Sequence, residues 1–202
     1  MDIVGNLNSA FREIPAWTIY VVGAVWASWL FYLGLTGGLG AEPINALERE
    51  YGEVALKLMV VGLVVTPLRK YTGVNLLKFR RAIGVTAFFF VLAHFSVWAV
   101  LDIGSLGRVW VDILKRPYVT IGMASFLMLI PLAITSNNTM VKRLGAASWR
   151  QLHKLTYPAA LLGAIHYIWL VKGFQIEPLV YLAIILGLLA VRFKASQRLR
   201  TA

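Results

Sequence analysis

Apolar residues along this chain come in long uninterrupted blocks rather than in strict alternation. The blocks cover about residues 16–35, 54–68, 82–101, 118–135, 152–171 and 177–191, and the segments between them hold most of the charge. About 20 consecutive apolar residues suffice for a helix to cross a bilayer. In lipid every backbone N–H and C=O must be satisfied internally, which a helix does by itself. The pattern therefore predicts an all-α integral membrane bundle of six helices. An even number of crossings puts both termini on one side.

Composition strengthens this picture. Hydrophobic residues make up 59% of the 202 and charged residues 14%, against about a quarter charged in ordinary soluble domains. One membrane domain spanning 1–202 leaves no room for a separate soluble unit. The block at 16–35 is longer than the apolar core of a signal peptide and has no clear small-x-small cleavage site after it, so it reads as the first crossing helix. Cysteine is absent, which excludes disulfides, thiol catalysis, iron–sulfur clusters and thiolate haem ligation.

The net charge of +11 changes the picture only through its distribution. Lys and Arg sit in short clusters between the blocks, where membrane topology is written. They do not line a soluble groove with interleaved aromatics, so the expected partner is the lipid bilayer and not a nucleic acid. With the N-terminus cytoplasmic, Arg12, Arg69, Lys70, Lys78, Arg80, Arg81, Lys142, Arg143, Arg150, Lys154, Arg192, Lys194, Arg198 and Arg200 lie inside. Arg49, Lys57, Arg108, Lys115, Arg116 and Lys172 lie outside. The excess of the first group predicts an N-in, C-in arrangement. The two longer outer loops hold most of the nine acids, either as a docking place for a partner or because acids collect outside.

The candidate chemistry is carried by three histidines, His94, His153 and His166. Ionisable side chains within the bilayer are costly and point to function: a proton relay, a metal or haem ligand, or a bond between helices. Depth separates these roles. Counted from Arg81, His94 lies about 20 Å into its helix, and His166, counted from Arg150, about 24 Å into its own. His153 lies about 20 Å below His166 on the same helix. Two axial ligands of one iron stand only about 4 Å apart, at about 2 Å per metal–nitrogen bond. His153 and His166 therefore cannot share a metal, whereas His94 and His166 match in depth and can. Zinc fits poorly, because a zinc site takes three or four close ligands and no acid lies near this pair in the sequence. On an ideal helix His153 and His166 also point about 140° apart, thirteen residues of 100° each; Pro158 between them can change that. The nearby Trp98, Trp149, Tyr157, Tyr167 and Trp169 read as interfacial belt or pocket packing.

The stretches "GLGAEP", "VTPLRKY", "RRAIGVTAFFFVLAHF", "KRPYVTIGM", "KRLGAASWRQLHKLTYPAALLGAIHYIW" and "VRF" together resemble the ferric-reductase-like transmembrane family. Within it they resemble the haem-binding membrane subunits of bacterial methionine sulfoxide reductase systems. The resemblance covers the chain from about Gly37 to Arg192. It implies b-type haem in a bundle of the bacterial inner membrane. Electrons would come from the quinone pool or a cytoplasmic flavin reductase and go to a periplasmic MsrP-like molybdoenzyme that reduces methionine sulfoxide in proteins. Flavin mononucleotide (FMN) is also associated with the family.

The matching ligands here are His94, His153 and His166. The wider family carries two histidines on each of two helices and holds two stacked haems. Here Arg81 and Arg80 stand thirteen and fourteen residues before His94. A second haem at His153 is then absent, five-coordinate or held by some other ligand. Arg80, Arg81 and Arg116 are candidates for haem propionates, since guanidinium matches carboxylate geometry; alternatively the first two mark the cytoplasmic side and Arg116 anchors the interface. The 202 residues contain no FAD or NADPH domain, so direct use of NADPH is not expected. Three other readings stay open: a self-sufficient ferric reductase or cytochrome b of the same fold, a histidine-relay transporter without haem, and a structural assembly subunit.

Overall fold

The longer helices form where the apolar blocks lie, and shorter ones fill segments between and before them. The computed structural model describes residues 2–171 and 174–198, with side chains as far as Arg192. Lys172 and Arg200, counted above for topology, lie outside the described residues.

In chain order the helices are α1 (Ile3–Glu13), α2 (Thr18–Thr36), α3 (Pro43–Thr72), α4 (Arg80–Ser96), α5 (Leu106–Lys115), α6 (Pro117–Ile134), α7 (Asn138–Leu144), α8 (Ala146–Leu152), α9 (Thr156–Leu170) and α10 (Ile176–Arg198). No strand occurs among the described residues. Four helical segments are long and apolar enough to cross a membrane: Thr18–Thr36, Pro43–Thr72, Leu77–Asp102 and Pro117–Ile134. The chain is an all-helical, multi-pass membrane protein.

The largest departure from the sequence reading is α3. The block at 54–68 is extended at both ends to Pro43–Thr72, so most of one expected outer loop is helix. Pro43 occupies the first turn, where its missing N–H costs nothing. Leu47, Tyr51 and Ala55 repeat at helical spacing and are buried, which gives the polar half of the helix an apolar stripe to hold it. Similarly, α5 fills most of the second expected loop. It leaves Leu106, Trp110 and Leu114 exposed along one helical face, the form of a helix lying in a membrane interface.

Past α4 the chain widens into a π-helix at Val97–Asp102, in which Ile103 N–H donates to Trp98 O at 2.9 Å and Gly104 N–H to Ala99 O at 3.2 Å. These are i→i+5 bonds. Val97, Trp98 and Ala99 are all buried, three consecutive positions that a narrower helix would spread over a wider arc.

The main core joins α3, α4, α6, α9 and α10 through Leu56, Met59, Leu63, Ala87, Leu129, Leu132, Ala159, Ala160, Ala164, Ile185 and Leu189. The alanines of α9 are 0% exposed; such small residues allow close approach of membrane helices. Ser125 Oγ donates to Ala159 O at 2.8 Å across the α6–α9 seam. In contrast, α2 sits outside this core, with only Leu30 buried. Its polar tie is Tyr51 Oη, donating to Ala27 O at 2.8 Å. Tyr51→Phe should lower the thermal midpoint in detergent by the worth of one such bond, about 1 kcal/mol; an unchanged midpoint would mean that α2 is held by packing alone.

Candidate functional site

The helices place the three histidines at two ends of the bundle. His94, near the end of α4, and His166, near the end of α9, come together. Their ring centroids are 6.3 Å apart with planes at 77°. Each ring is fixed by one bond to a neighbouring backbone. His94 Nδ1–H donates to Glu48 O of α3 at 2.8 Å, and His166 Nδ1–H donates to Tyr118 O of α6 at 2.7 Å. A carbonyl can only accept, so these bonds set the tautomer: the proton sits on Nδ1 and Nε2 keeps its lone pair. Neither Nε2 has a hydrogen-bond partner among the described residues.

This is how histidine is prepared for a metal, with the outer nitrogen oriented by a carbonyl and the inner one free. The spacing fits as well. A metal–nitrogen bond is about 2 Å, so two opposed imidazoles on one metal put their ring centroids about 6 Å apart. Among the described residues no three His, Cys, Asp or Glu side chains gather as a site for a bare metal ion. Two donors alone suit a metal that brings its other ligands with it, as iron in a porphyrin does.

His153 stands apart, in a short 3-10 segment, His153–Leu155, between α8 and α9. Trp149 stacks on its ring at 3.8 Å between centroids while donating Nε1–H to Thr135 O at 2.8 Å. His153 Nδ1 lies 3.0 Å from Trp149 O and Nε2 lies 3.3 Å from Ser136 Oγ. The angular problem raised by the sequence is eased by this segment. Three residues turning about 120° each instead of 100° add about 60° and bring the two histidines from about 140° to about 80° apart. Both rings therefore bond to the chain of α6 and its end, His166 at Tyr118 and His153 at Ser136.

The arginines divide in the same way. Arg116 lies at the His166 end, bonded to Tyr118 Oη at 3.3 Å and paired with Asp112 at 3.4 Å. At the His153 end, Arg81 Nη1–H donates to Asn138 Oδ1 at 2.8 Å. Arg80 begins α4 at this same end. By its place in the sequence Arg192 is a topology mark. It turns inward, donating to Tyr157 Oη at 3.0 Å and Leu63 O at 2.6 Å, and lies 5.3 Å from the Tyr157 ring centroid. Among the described residues Arg80, Arg81 and Arg192 have no carboxylate partner; the ion pairs found are Lys57–Glu53 and Arg116–Asp112.

Known proteins resemble this chain over most of its length. Residues 51–164 match the family described as ferric reductase like transmembrane component, a span that contains His94 and His153 and stops just before His166. The chain is similar to the protein named "Protein-methionine-sulfoxide reductase heme-binding subunit MsrQ" in Agrobacterium fabrum, with 44% identity over 93% of this chain and 87% of the relative. It is similar to the proteins of the same name in Brucella anthropi, with 46% identity over 89% and 82%, and in Brucella ovis, with 46% over 92% and 84%. Matched by family over more than half its length and by these relatives over nearly all of it, the chain belongs to the ferric-reductase-like transmembrane family and, within it, to the MsrQ group.

Proposed function

We propose that the chain is a haem b electron-transfer subunit of a protein methionine sulfoxide reductase system. It crosses the bacterial inner membrane six times with both termini cytoplasmic, as the Lys and Arg distribution favours. Electrons arrive from the quinone pool or a cytoplasmic flavin reductase and leave to a periplasmic MsrP-like molybdoenzyme. The observation that carries this reading is the His94–His166 pair, two imidazoles at axial spacing with Nδ1 anchored and Nε2 free. The names of the relatives support it.

Haem, when bound, supplies one-electron exchange at iron. The chain does the rest. His94 and His166 would hold the iron through their free Nε2 atoms; with both positions taken by protein, the site would suit electron transfer rather than catalysis at the iron. Glu48 O and Tyr118 O fix the tautomer and raise ligand basicity. The apolar helices exclude water. Arg116, at the outer end beside Tyr118, would hold a propionate or dock the acceptor. Arg80 and Arg81, joined by Arg192, have no carboxylate partner among the described residues and would supply positive charge to an anionic haem edge at the inner end. His153 belongs to this inner end and serves a second haem only with another ligand.

The test is the optical spectrum of protein purified with haem available, with a pyridine haemochrome count and electron transfer to the MsrP-like partner. A Soret band and partner reduction are expected; a colourless protein would end the reading. Haem with metal reduction but no transfer to the partner would favour a self-sufficient ferric reductase, which the family match also suggests. His153→Ala should leave the His94–His166 haem in place and affect only absorbance belonging to the inner end. Loss of all haem in that variant would show that the two ends are not independent.

A further inference from the structure

The two ligand histidines are held by the same device used twice. In each case the accepting carbonyl lies four residues before a glycine: Glu48 before Gly52 on α3, and Tyr118 before Gly122 on α6. A residue at i+4 stands over carbonyl i on the same helix face. A side chain there would occupy the space through which the imidazole reaches that oxygen. A Cβ added to Gly52 would lie 3.0 Å from His94 Nδ1 and 3.3 Å from its Cε1. A Cβ added to Gly122 would lie 2.8 Å from His166 Nδ1 and 3.0 Å from its Cε1. In both helices the glycine N–H and the imidazole N–H converge on one oxygen, which has two lone pairs to offer.

We infer that Gly52 and Gly122 are positioning residues for the axial histidines: the missing Cβ sets the Nδ1–H tautomer, the aim of Nε2 and, through ligand basicity, the reduction potential of the bound group. The two-fold use pairs α3 with α4 and α6 with α9, each histidine being held by a glycine and carbonyl of the helix packed against it. This rests on the haem reading for its redox consequence, while the tautomer and ring position are properties of the chain alone.

The test uses Gly122→Ala and Gly52→Ala in the full-length protein, with Gly62→Ala and Gly84→Ala as controls. Gly62 has only Ile83 Cγ2 at 3.7 Å from an added Cβ, and Gly84 has nothing within 4 Å. Loss of the anchoring bond weakens the donor and favours ferrous iron. We expect the ferric–ferrous equilibrium to move about tenfold, about 59 mV upward for one electron, more in Gly122→Ala than in Gly52→Ala. The low-spin ferric EPR signal should change with it, and the two controls should keep wild-type values. Wild-type potential and EPR in both test variants would overturn the inference, as would equal shifts in the controls.

Nitrogen-15 NMR of the wild-type apoprotein reads the tautomer without any variant or haem. Protonated Nδ1 at both His94 and His166 is expected, and protonated Nε2 at either overturns the inference. If the wild-type protein takes up no haem, the haem reading fails by itself, and the same measurement on the Gly52→Ala and Gly122→Ala apoproteins still decides the role of the glycines: loss of the protonated Nδ1 signal at the facing histidine is expected, and an unchanged signal in both overturns it.

Discussion

Alanine in place of either His94 or His166 should remove most of the haem bound between α4 and α9. The two rings have equivalent roles: each is anchored through Nδ1 to a backbone carbonyl and each presents a free Nε2, at a centroid spacing of 6.3 Å. Removing one leaves a single protein ligand and an apolar void on the other face. Losing an outer partner of a metal-bound histidine costs about 10–100-fold in metal affinity, and losing the ligand itself costs at least that much. Haem affinity should fall at least tenfold in each variant, read as the haem retained per protein by pyridine haemochrome across a haem titration, and the haem that remains should be high-spin. Undiminished low-spin haem in either variant would remove this pair from the site.

The second large effect concerns the seam that carries His166. Ala159 is 0% exposed and lies seven residues before His166, two helical turns along the same face. Ser125 Oγ bonds its carbonyl. Leucine there adds bulk to a filled contact, at about 1–3 kcal/mol for the overpacking. Pushing α9 from α6 also stretches the Ser125 bond, worth about 1 kcal/mol, and draws His166 off Tyr118 O. Ala159→Leu should lower both the thermal midpoint and the haem content, the two falling together. A full haem complement at a lowered midpoint would mean that the seam can spread without moving the ligand.

Most of the helices are legible in the sequence because a bilayer demands long apolar blocks, and each block at 82–101 or 118–135 becomes a helix within a few residues of its expected ends. The proximity of His94 and His166 is legible because helix rise converts residue number into depth. The devices that hold them are not. Cutting the second helix at Val54 leaves Glu48 and Gly52 in a supposed loop, although Pro43 and the buried stripe Leu47, Tyr51 and Ala55 mark the helix. The anchors are a backbone oxygen and a missing Cβ, neither of which is a side-chain signal. The chain shows no repeat of sequence, yet a carbonyl and a glycine at i and i+4 recur beside both histidines. Arg192 reads as one more topology charge, since nothing in its flanking residues reveals that it turns toward Tyr157 and Leu63 O. The 3-10 turn at His153 changes an angle that an ideal helix would fix.

The π-helix at Val97–Asp102 bears on how the chain tolerates changes in length. A π turn holds one more residue than an α turn needs, so this stretch carries slack just beyond His94. Removing one residue there would let the segment relax into ordinary α-helix. His94 and everything before it would keep their register against α3, and the adjustment would fall on the connection to α5. Before His94 in α4 the same deletion would rotate the ligand by about 100° relative to the start of the helix and carry it away from its partner across the bundle.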